Sequence, residues 1–421
     1  MSILNNLKNR DFFIERKLIV YFFGKALSSI VTLASIPLFI KWFGDENYGN
    51  YIVAYTTFLI FLSGTLGWLN HATIKHYGEY KDDEDFEIKI KLIVSRIFIF
   101  GSILLSLILL LSKQIEYSTL PFIIIAYLFS CFYTNELVFT KVKYKAKKYA
   151  ISEFLRLSSG FLVIFLIKNL NFLDAEKKLF IGIMVSFIIG FLYISNGTFL
   201  PFKKLLNTEF DKSLFKKFLI YGIPIGIWMA MSPSSNGVDR YVLNSYLGAV
   251  AVAQYTAVYD VIFKVFTQLS TPIATIIQPM LMNFYNEGNM ASFKKTMNKS
   301  VVYLSLLFIP VFFIVNYFGD YILSNYLGFK DEQVLKDLKM TIIPIALSSF
   351  IWQLAILIQR RIEATGKSYL VTILMIIAIL FSAIMSYIII PIYGYAYLGY
   401  VALVTSIFYF LLILFLNKKI K

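Results

Sequence analysis

Apolar runs of helical length recur along the whole chain, separated by short polar stretches. A helix needs ~20 apolar residues to cross the hydrocarbon core of a bilayer. The pattern predicts helices near 18–40, 50–70, 92–111, 119–139, 150–167, 179–200, 215–236, 244–270, 299–317, 340–358, 368–390 and 396–416. The runs are continuous, not alternating at every second residue, which excludes a transmembrane β-barrel. The connections are short, and none reads as a folded domain of its own. The expected fold class is all-α, a polytopic membrane protein of about 12 transmembrane helices.

Composition agrees. The 421 residues are 58% hydrophobic and 15% charged, where a soluble domain would have ~45–50% and ~25%. Soluble, disordered and disulfide-scaffold classes are excluded. Cys131 is the single cysteine, so no intramolecular disulfide forms and the redox compartment is not readable. His71 and His76 are five apart, which is no helical metal spacing. The chain carries no H-E-x-x-H, C-x-x-C, Walker A loop or G-x-G-x-x-G fingerprint, so no metal or nucleotide cofactor is expected and an ATP-driven pump in one chain is disfavoured. Lys8, Arg10, Arg16 and Lys17 precede a full-length apolar span without a small-residue cleavage pattern, and this is expected to be a retained first helix.

Lysine and arginine counts in short loops set orientation. Of the 40 cations, 28 fall with the N-terminus, the loops after even-numbered helices and the C-terminus; 9 fall on the opposite side. Both termini are therefore expected in the cytoplasm. The net charge of +15 reads as this bias together with attraction to anionic membrane lipids, not as a nucleic-acid surface. Lys25, Arg156 and Lys264 are the cations left inside spans.

The chain also repeats itself. FGDENYGNYIVAY (43–55) matches LGAVAVAQYTAVY (247–259) at an offset of 204, pairing Gly44 with Gly248, Tyr51 with Tyr255 and Tyr55 with Tyr259. KVKYKAKKY (141–149) matches RIEATGKSY (361–369) at an offset of 220. Six helices separate each pair, so the halves share one orientation, a parallel repeat. The expectation is two six-helix bundles, 1–200 and 201–421, with a cleft between them suited to alternating access.

Polar residues in a bilayer face cavities or the bundle interior. Lys25, Ser28, Ser29, Thr32 and Ser35 fall on one face of the first helix. Asp260, Lys264, Thr267, Gln268, Thr271 and Thr275 mark the eighth, and the second and seventh carry shorter stripes. Lys25 lies ~10 Å, and Lys264 ~9 Å, from the cytoplasmic helix ends at 1.5 Å per residue, so the two ammonium groups could clamp an anion. Alternatively, Lys264 pairs with Asp260 at i, i+4, Lys25 snorkels, and the hydroxyls serve helix packing. Arg156 is expected to snorkel. His71 and Lys75 are candidates for an inner rim. Asp239 and Arg240 close the seventh helix, as an outer gate or as a plain solvated pair. Pro224 and Pro233 make that helix the expected bending element.

IPLFIKWFGDENYGNYIVAY (36–55), VDRYVLNSYLGAVAVAQYTAVYDV (238–261) and PIYGYAYLGYVALVTSI (391–407) resemble segments of the Wzx-type polysaccharide flippases of the multidrug/oligosaccharidyl-lipid/polysaccharide (MOP) exporter superfamily. In the last segment the usual Gly-Ala pairing reads Leu398-Gly399-Tyr400. The resemblance implies a V of two bundles, helices 1, 2, 7 and 8 around a cationic cavity, and a polyprenyl-pyrophosphate-linked oligosaccharide (an O-antigen or capsule repeat unit) moved across the bacterial cytoplasmic membrane. It also implies polymerase and assembly enzymes as partners. Where that family mostly uses arginine, Lys25 and Lys264 stand here, which weakens the transfer of an individual phosphate contact. Two other classes fit the chain less well. A cation-coupled drug exporter would want an acidic cavity, and Asp260 stands beside a lysine. A membrane polymerase or ligase would want basic residues in a long outer loop, and 318–339 has neither His nor Arg. Coupling to protons (through Asp260), to sodium or to the membrane potential stays open.

Overall fold

The computed structural model describes residues 27–80, 82–143, 145–197, 209–235, 237–365 and 367–419. Twelve long helices and no strands lie among them: α1 (Leu27–Phe43), α2 (Asp45–His76), α3 (Phe86–Leu111), α4 (Leu120–Val142), α5 (Ala146–Ile167), α6 (Ala175–Ile194), α7 (Lys212–Ser235), α8 (Val238–Asn286), α9 (Met290–Tyr317), α10 (Glu332–Ala364), α11 (Ser368–Tyr393) and α12 (Leu398–Lys419). Nine stretches of the described residues are long and apolar enough to cross a membrane, and one of these, Tyr369–Lys419, contains both α11 and α12. On α3, Ile99, Phe100, Ile103, Leu104 and Leu107 are exposed, the surface a lipid-facing helix presents.

Hydropathy placed the helices but not their ends. α2 runs to His76 and α3 begins at Phe86, each about six residues past its apolar run. The extra turns keep their lysines by pairing them: Lys91 Nζ lies 2.6 Å from Glu136 Oε1. At the other end, Asp331 starts α10 by accepting from the Gln333 and Val334 amides, an N-cap that satisfies orphan donors.

The largest correction concerns the seventh and eighth helices. Hydropathy ends the seventh helix at 236 and begins the eighth at 244. In the structure α7 continues through Pro224, ends two residues beyond Pro233, and a helix resumes at Val238. The chain reverses at Gly248, whose φ is +78°. Its partner in the repeat, Gly44, has φ +81° and separates α1 from α2. Gly248, with ψ −179°, is in a region open essentially to glycine alone, where another residue costs about 1–3 kcal/mol, and the positive φ of Gly44 favours glycine too. The helix after Gly248 extends to Asn286, sixteen residues beyond the expected end.

The chain forms two compact units. Unit 1 comprises Met1–Thr32 and Phe61–Gly226; unit 2 comprises Leu33–Ile60 and Ile227–Lys421. The crossings at 32/33, 60/61 and 226/227 fall inside α1, α2 and α7. Each unit thus contains a piece of the other sequence half: unit 1 takes 212–226 and unit 2 takes 33–60.

In unit 1, α5 and α6 approach closely through small residues, as helices in lipid do; a Cβ on Gly160 would sit 2.8 Å from Ser186 Cβ. Phe86 anchors its core, against Tyr80 (5.0 Å between ring centroids), Phe139 (6.1 Å) and Phe218 (6.2 Å). In unit 2, Trp352 stacks on Tyr409 at 4.9 Å, and the Tyr409 hydroxyl donates to Gln359 Oε1 at 2.7 Å. Buried hydroxyls need such partners.

Candidate functional site

Unit 2 holds a buried polar cluster centred on Arg240, which is 9% exposed. Its Nη2 donates to Asp260 Oδ1 at 2.6 Å, and its Nη1 donates to Thr56 Oγ1 at 3.0 Å. Thr56 and Asp260 are 204 residues apart, equivalent positions in the repeat, and one guanidinium joins them. The planar fork of arginine spreads its donors across the span of such a bridge, whereas the lysine ammonium is a compact point. The other Asp260 oxygen lies 3.4 Å from Lys264 Nζ, so the i, i+4 pair forms. Lys264 keeps its side chain 34% exposed.

Around this cluster the first-half segment of unit 2 meets α8. Thr57 and Tyr241 share a hydroxyl–hydroxyl bond of 2.8 Å. Gln254 Nε2 donates to Asp45 Oδ2 at 3.1 Å, and Tyr395 donates to Gln254 Oε1 at 3.1 Å. Gly49 lies so close to Ala249 that a Cβ would stand 1.8 Å from its carbonyl oxygen. The matched tyrosines sit alike: Tyr51 stacks on Tyr55 at 5.5 Å, and Tyr255 meets Tyr259 at 5.8 Å.

Asp239, next to Arg240 in sequence, faces elsewhere. It lines a small pocket of unit 2 with Tyr259, Ser348, Trp352, Ser382 and Thr405. Asp239 Oδ1 and Thr405 Oγ1 are buried without a hydrogen-bond partner among the described residues. The plain solvated Asp239–Arg240 pair is therefore excluded: the arginine is buried on Asp260, and the aspartate points into a hydroxyl-lined pocket.

The remaining candidates fall as follows. Lys25 lies outside the described residues, and so does the side chain of Thr271. Ser28 and Ser29 are buried on α1, and Thr32 donates to the Ser28 carbonyl at 3.0 Å. These three belong to unit 1, whereas Asp260, Lys264 and Gln268 belong to unit 2. Gln268 Oε1 is buried without a hydrogen-bond partner among the described residues. Lys264 lies sixteen residues past Gly248, about 24 Å along the helix, and far from the helix end at Asn286. The depth deduced from a helix ending at 270 is thus revised.

At the far end of α2, His71 is half-buried and Lys75 is exposed, its Nζ 3.9 Å from the centre of the Tyr221 ring. The ionic contacts there belong to residues that the sequence reading passed over: His76 Nδ1 lies 2.7 Å from Glu79 Oε1, and Lys217 Nζ 2.5 Å from Glu79 Oε2. Arg156 does not snorkel. Its Nε donates to Glu153 Oε1 at 3.2 Å, and its guanidinium lies 5.0 Å from the Phe187 ring centre. Tyr133 donates to the same Glu153 oxygen at 2.5 Å. An acid three residues before Arg156 was the available signal.

The sequence profile of the polysaccharide biosynthesis protein family matches residues 14–285, well over half of the chain. The chain belongs to this family. The MatE profile matches a shorter stretch, 224–388. A Shigella flexneri protein named "Putative O-antigen transporter" is 24% identical over 368 residues, spanning 82% of this chain and 84% of its own. Among solved structures, the lipid II flippase MurJ in an inward closed conformation has a TM-score of 0.74 at 16% identity, covering 95% of this chain and 87% of its own. An inward-facing multidrug resistance MATE transporter of the MOP superfamily has a TM-score of 0.73 at 14% identity, covering 96% of this chain and all of its own. The fold is that of MOP superfamily transporters. The drug-exporter alternative is not favoured, since the polysaccharide profile covers more of the chain.

Proposed function

We propose that this transporter moves a polyprenyl-pyrophosphate-linked oligosaccharide, an O-antigen or capsule repeat unit, from the inner to the outer leaflet of the bacterial cytoplasmic membrane by alternating access. The observation that carries the reading is Lys264, a cation in a membrane helix whose side chain stays one-third exposed beside the occupied Arg240–Asp260 pair. An unburied ammonium at that depth suits an anionic headgroup, bound by charge-assisted hydrogen bonds. The name of the Shigella relative points the same way.

In this reading the halves 1–200 and 201–421 are the two moving bundles, with both termini in the cytoplasm. Lys25 and Lys264 grip the pyrophosphate, while Ser28, Ser29, Thr32, Gln268 and Thr271 meet the sugar. His71 and Lys75 rim the inner opening, and Asp239 with Arg240 belong to the outer closure. Polymerase and assembly enzymes would receive the product. The test is leaflet transfer of a lipid-pyrophosphate oligosaccharide in proteoliposomes. Wild type is expected to transfer it, and Lys25→Gln, Lys264→Gln and the double variant to lose transfer while staying folded. Transfer surviving the double substitution would remove the clamp; absence of transfer by wild type with several sugar chains would remove the substrate.

The Asp239 pocket favours a particular coupling route. Asp260 already faces Arg240 and Lys264, whereas Asp239 Oδ1 has no hydrogen-bond partner among the described residues, beside the four hydroxyl side chains of Tyr259, Ser348, Ser382 and Thr405. A proton or sodium ion taken up there would complete the site; the membrane potential acting on the anionic substrate is the alternative driving force. Asp239→Asn is expected to abolish the dependence of transport on a proton or sodium gradient. Unchanged dependence would leave the potential as the drive.

A further inference from the structure

The hairpin between α11 and α12, wholly within unit 2, carries tyrosine at 393, 395, 397 and 400. The structure sorts the four. Gly394, with φ +68°, ends α11 and starts a 3-10 turn that runs to Tyr397. Tyr395 turns inward: its hydroxyl donates to Gln254, which is itself tied to Asp45. Tyr393, Tyr397 and Tyr400 are 54%, 38% and 44% exposed. Their rings form a row, with centroids 5.0 Å apart from Tyr393 to Tyr397 and 5.8 Å apart from Tyr397 to Tyr400. None of the three hydroxyls is hydrogen-bonded among the described residues.

The row has firm footing. Ala396 and Leu398, between the exposed tyrosines in sequence, are buried. α12 presses on α10 so closely that a Cβ on Gly399 would stand 2.7 Å from the Thr341 carbonyl oxygen. Rings fixed in this way bind at less entropic cost. Depth, shape and charge then select the ligand. α11 has 26 residues, about 39 Å at 1.5 Å per residue against ~30 Å of hydrocarbon, so its end stands at headgroup level. A tyrosine offers an apolar ring face and a hydroxyl that donates and accepts, which matches the apolar ring faces and hydroxyls of a sugar. A row suits a chain of such rings, whereas an organic cation is held by aromatic faces caged around one point. Asp45, Asp331 and Asp337 are close enough to Tyr395 for their charges to act on it, which disfavours an anionic lipid headgroup at this end.

We propose that Tyr393, Tyr397 and Tyr400 form a sugar-binding platform, on which the saccharide of a lipid-linked substrate stacks at the outer surface. The inference rests on the transport reading and on the orientation given above, and adds to them where the sugar is held after crossing. The lipid keeps its sugar at the level of the rings, so weak stacking suffices through a high effective concentration.

Saturation-transfer NMR on the full-length protein in nanodiscs reads the platform directly. The probe is the oligosaccharide that mild acid releases from the lipid extract of the source cells. Wild type is expected to pass saturation from aromatic protons to the sugar ring protons. Tyr397→Leu, which keeps the position apolar, should lose most of that transfer, and Tyr397→Trp should keep it. Tyr317 is an exposed tyrosine of α9 outside the row, and Tyr317→Leu should change nothing. Transfer unaltered by Tyr393→Leu, Tyr397→Leu and Tyr400→Leu together, an equal loss with Tyr317→Leu, or displacement of the sugar by tetramethylammonium would overturn the platform. Leaflet transfer by wild type without a sugar signal from the row would overturn it too, and leave the transport reading standing. A sugar signal that is lost with the row, in a protein that moves no lipid-linked saccharide, would uphold the platform and count against the substrate.

Discussion

Thr56 and Asp260, equivalent positions in the two halves, are both hydrogen-bonded to the guanidinium of Arg240. The repeat has thus diverged chemically at the point where it closes on itself. One half offers a hydroxyl, the other a carboxylate, and a single arginine satisfies both.

Removing either charge of this pair should be destabilising. Asp260→Ala leaves the buried guanidinium without its carboxylate, at a cost of about 3–5 kcal/mol, whereas Arg240→Ala leaves Asp260 with Lys264 at 3.4 Å and should cost less. Thr56→Val removes one hydrogen bond and should cost about 1–3 kcal/mol. Arg240→Lys should not restore wild-type behaviour, because an ammonium lacks the fork. Thermal unfolding of detergent-solubilised variants checks the order, and a double variant Arg240→Met with Asp260→Leu should be less damaged than either alanine variant.

Gly49 sets the approach of α2 to the segment after Gly248. With a Cβ only 1.8 Å from the Ala249 carbonyl oxygen, even Gly49→Ala must push backbones apart, as overpacking does at about 1–3 kcal/mol. Gly49→Leu is expected to keep the contact from forming. Its signature is increased labelling of a cysteine at Val250 by a membrane-impermeant thiol reagent, with transport lost.

Gly44 and Gly248 make the two reversals of the repeat at φ +81° and +78°. Alanine at either position should cost about 1–3 kcal/mol. At Gly248, where ψ is −179°, asparagine gains nothing over alanine, because that region is open essentially to glycine alone. No atom lies within 4 Å of a Cβ at either position, so the penalty is conformational rather than steric. A melting temperature for Gly248→Asn well above that of Gly248→Ala would contradict this.

Glu153 and Arg156 form an ion pair within unit 1, with Tyr133 as a further donor. Glu153→Leu strands the guanidinium and should cost about 3–5 kcal/mol. Glu153→Gln with Arg156→Gln removes both charges and should recover much of that. The comparison separates an interior pair from a snorkelling arginine, for which Glu153 would be dispensable.

Much of the scaffold was legible in the sequence. A membrane span is a local signal, so twelve apolar runs gave twelve helices. The glycine pair of the repeat was legible because a left-handed turn restricts residue choice at one position. Helix ends were less so: α8 ran to Asn286 through residues less apolar than its core, and 238–244 proved helical, moving the reversal to Gly248.

The sequence by itself determined what one segment can decide: the membrane-crossing helices, the lysine asymmetry, the parallel repeat and the i, i+4 pair of Asp260 with Lys264. Tertiary structure alone decided which distant groups meet. It set Arg240 on Thr56, Glu79 on Lys217, and Asp239 facing Ser382 and Thr405 instead of solvent. The reason is physical. Hydropathy and spacing act over one or two turns, whereas a buried charge takes whichever partner packing brings within hydrogen-bond range, and packing is a property of the whole chain.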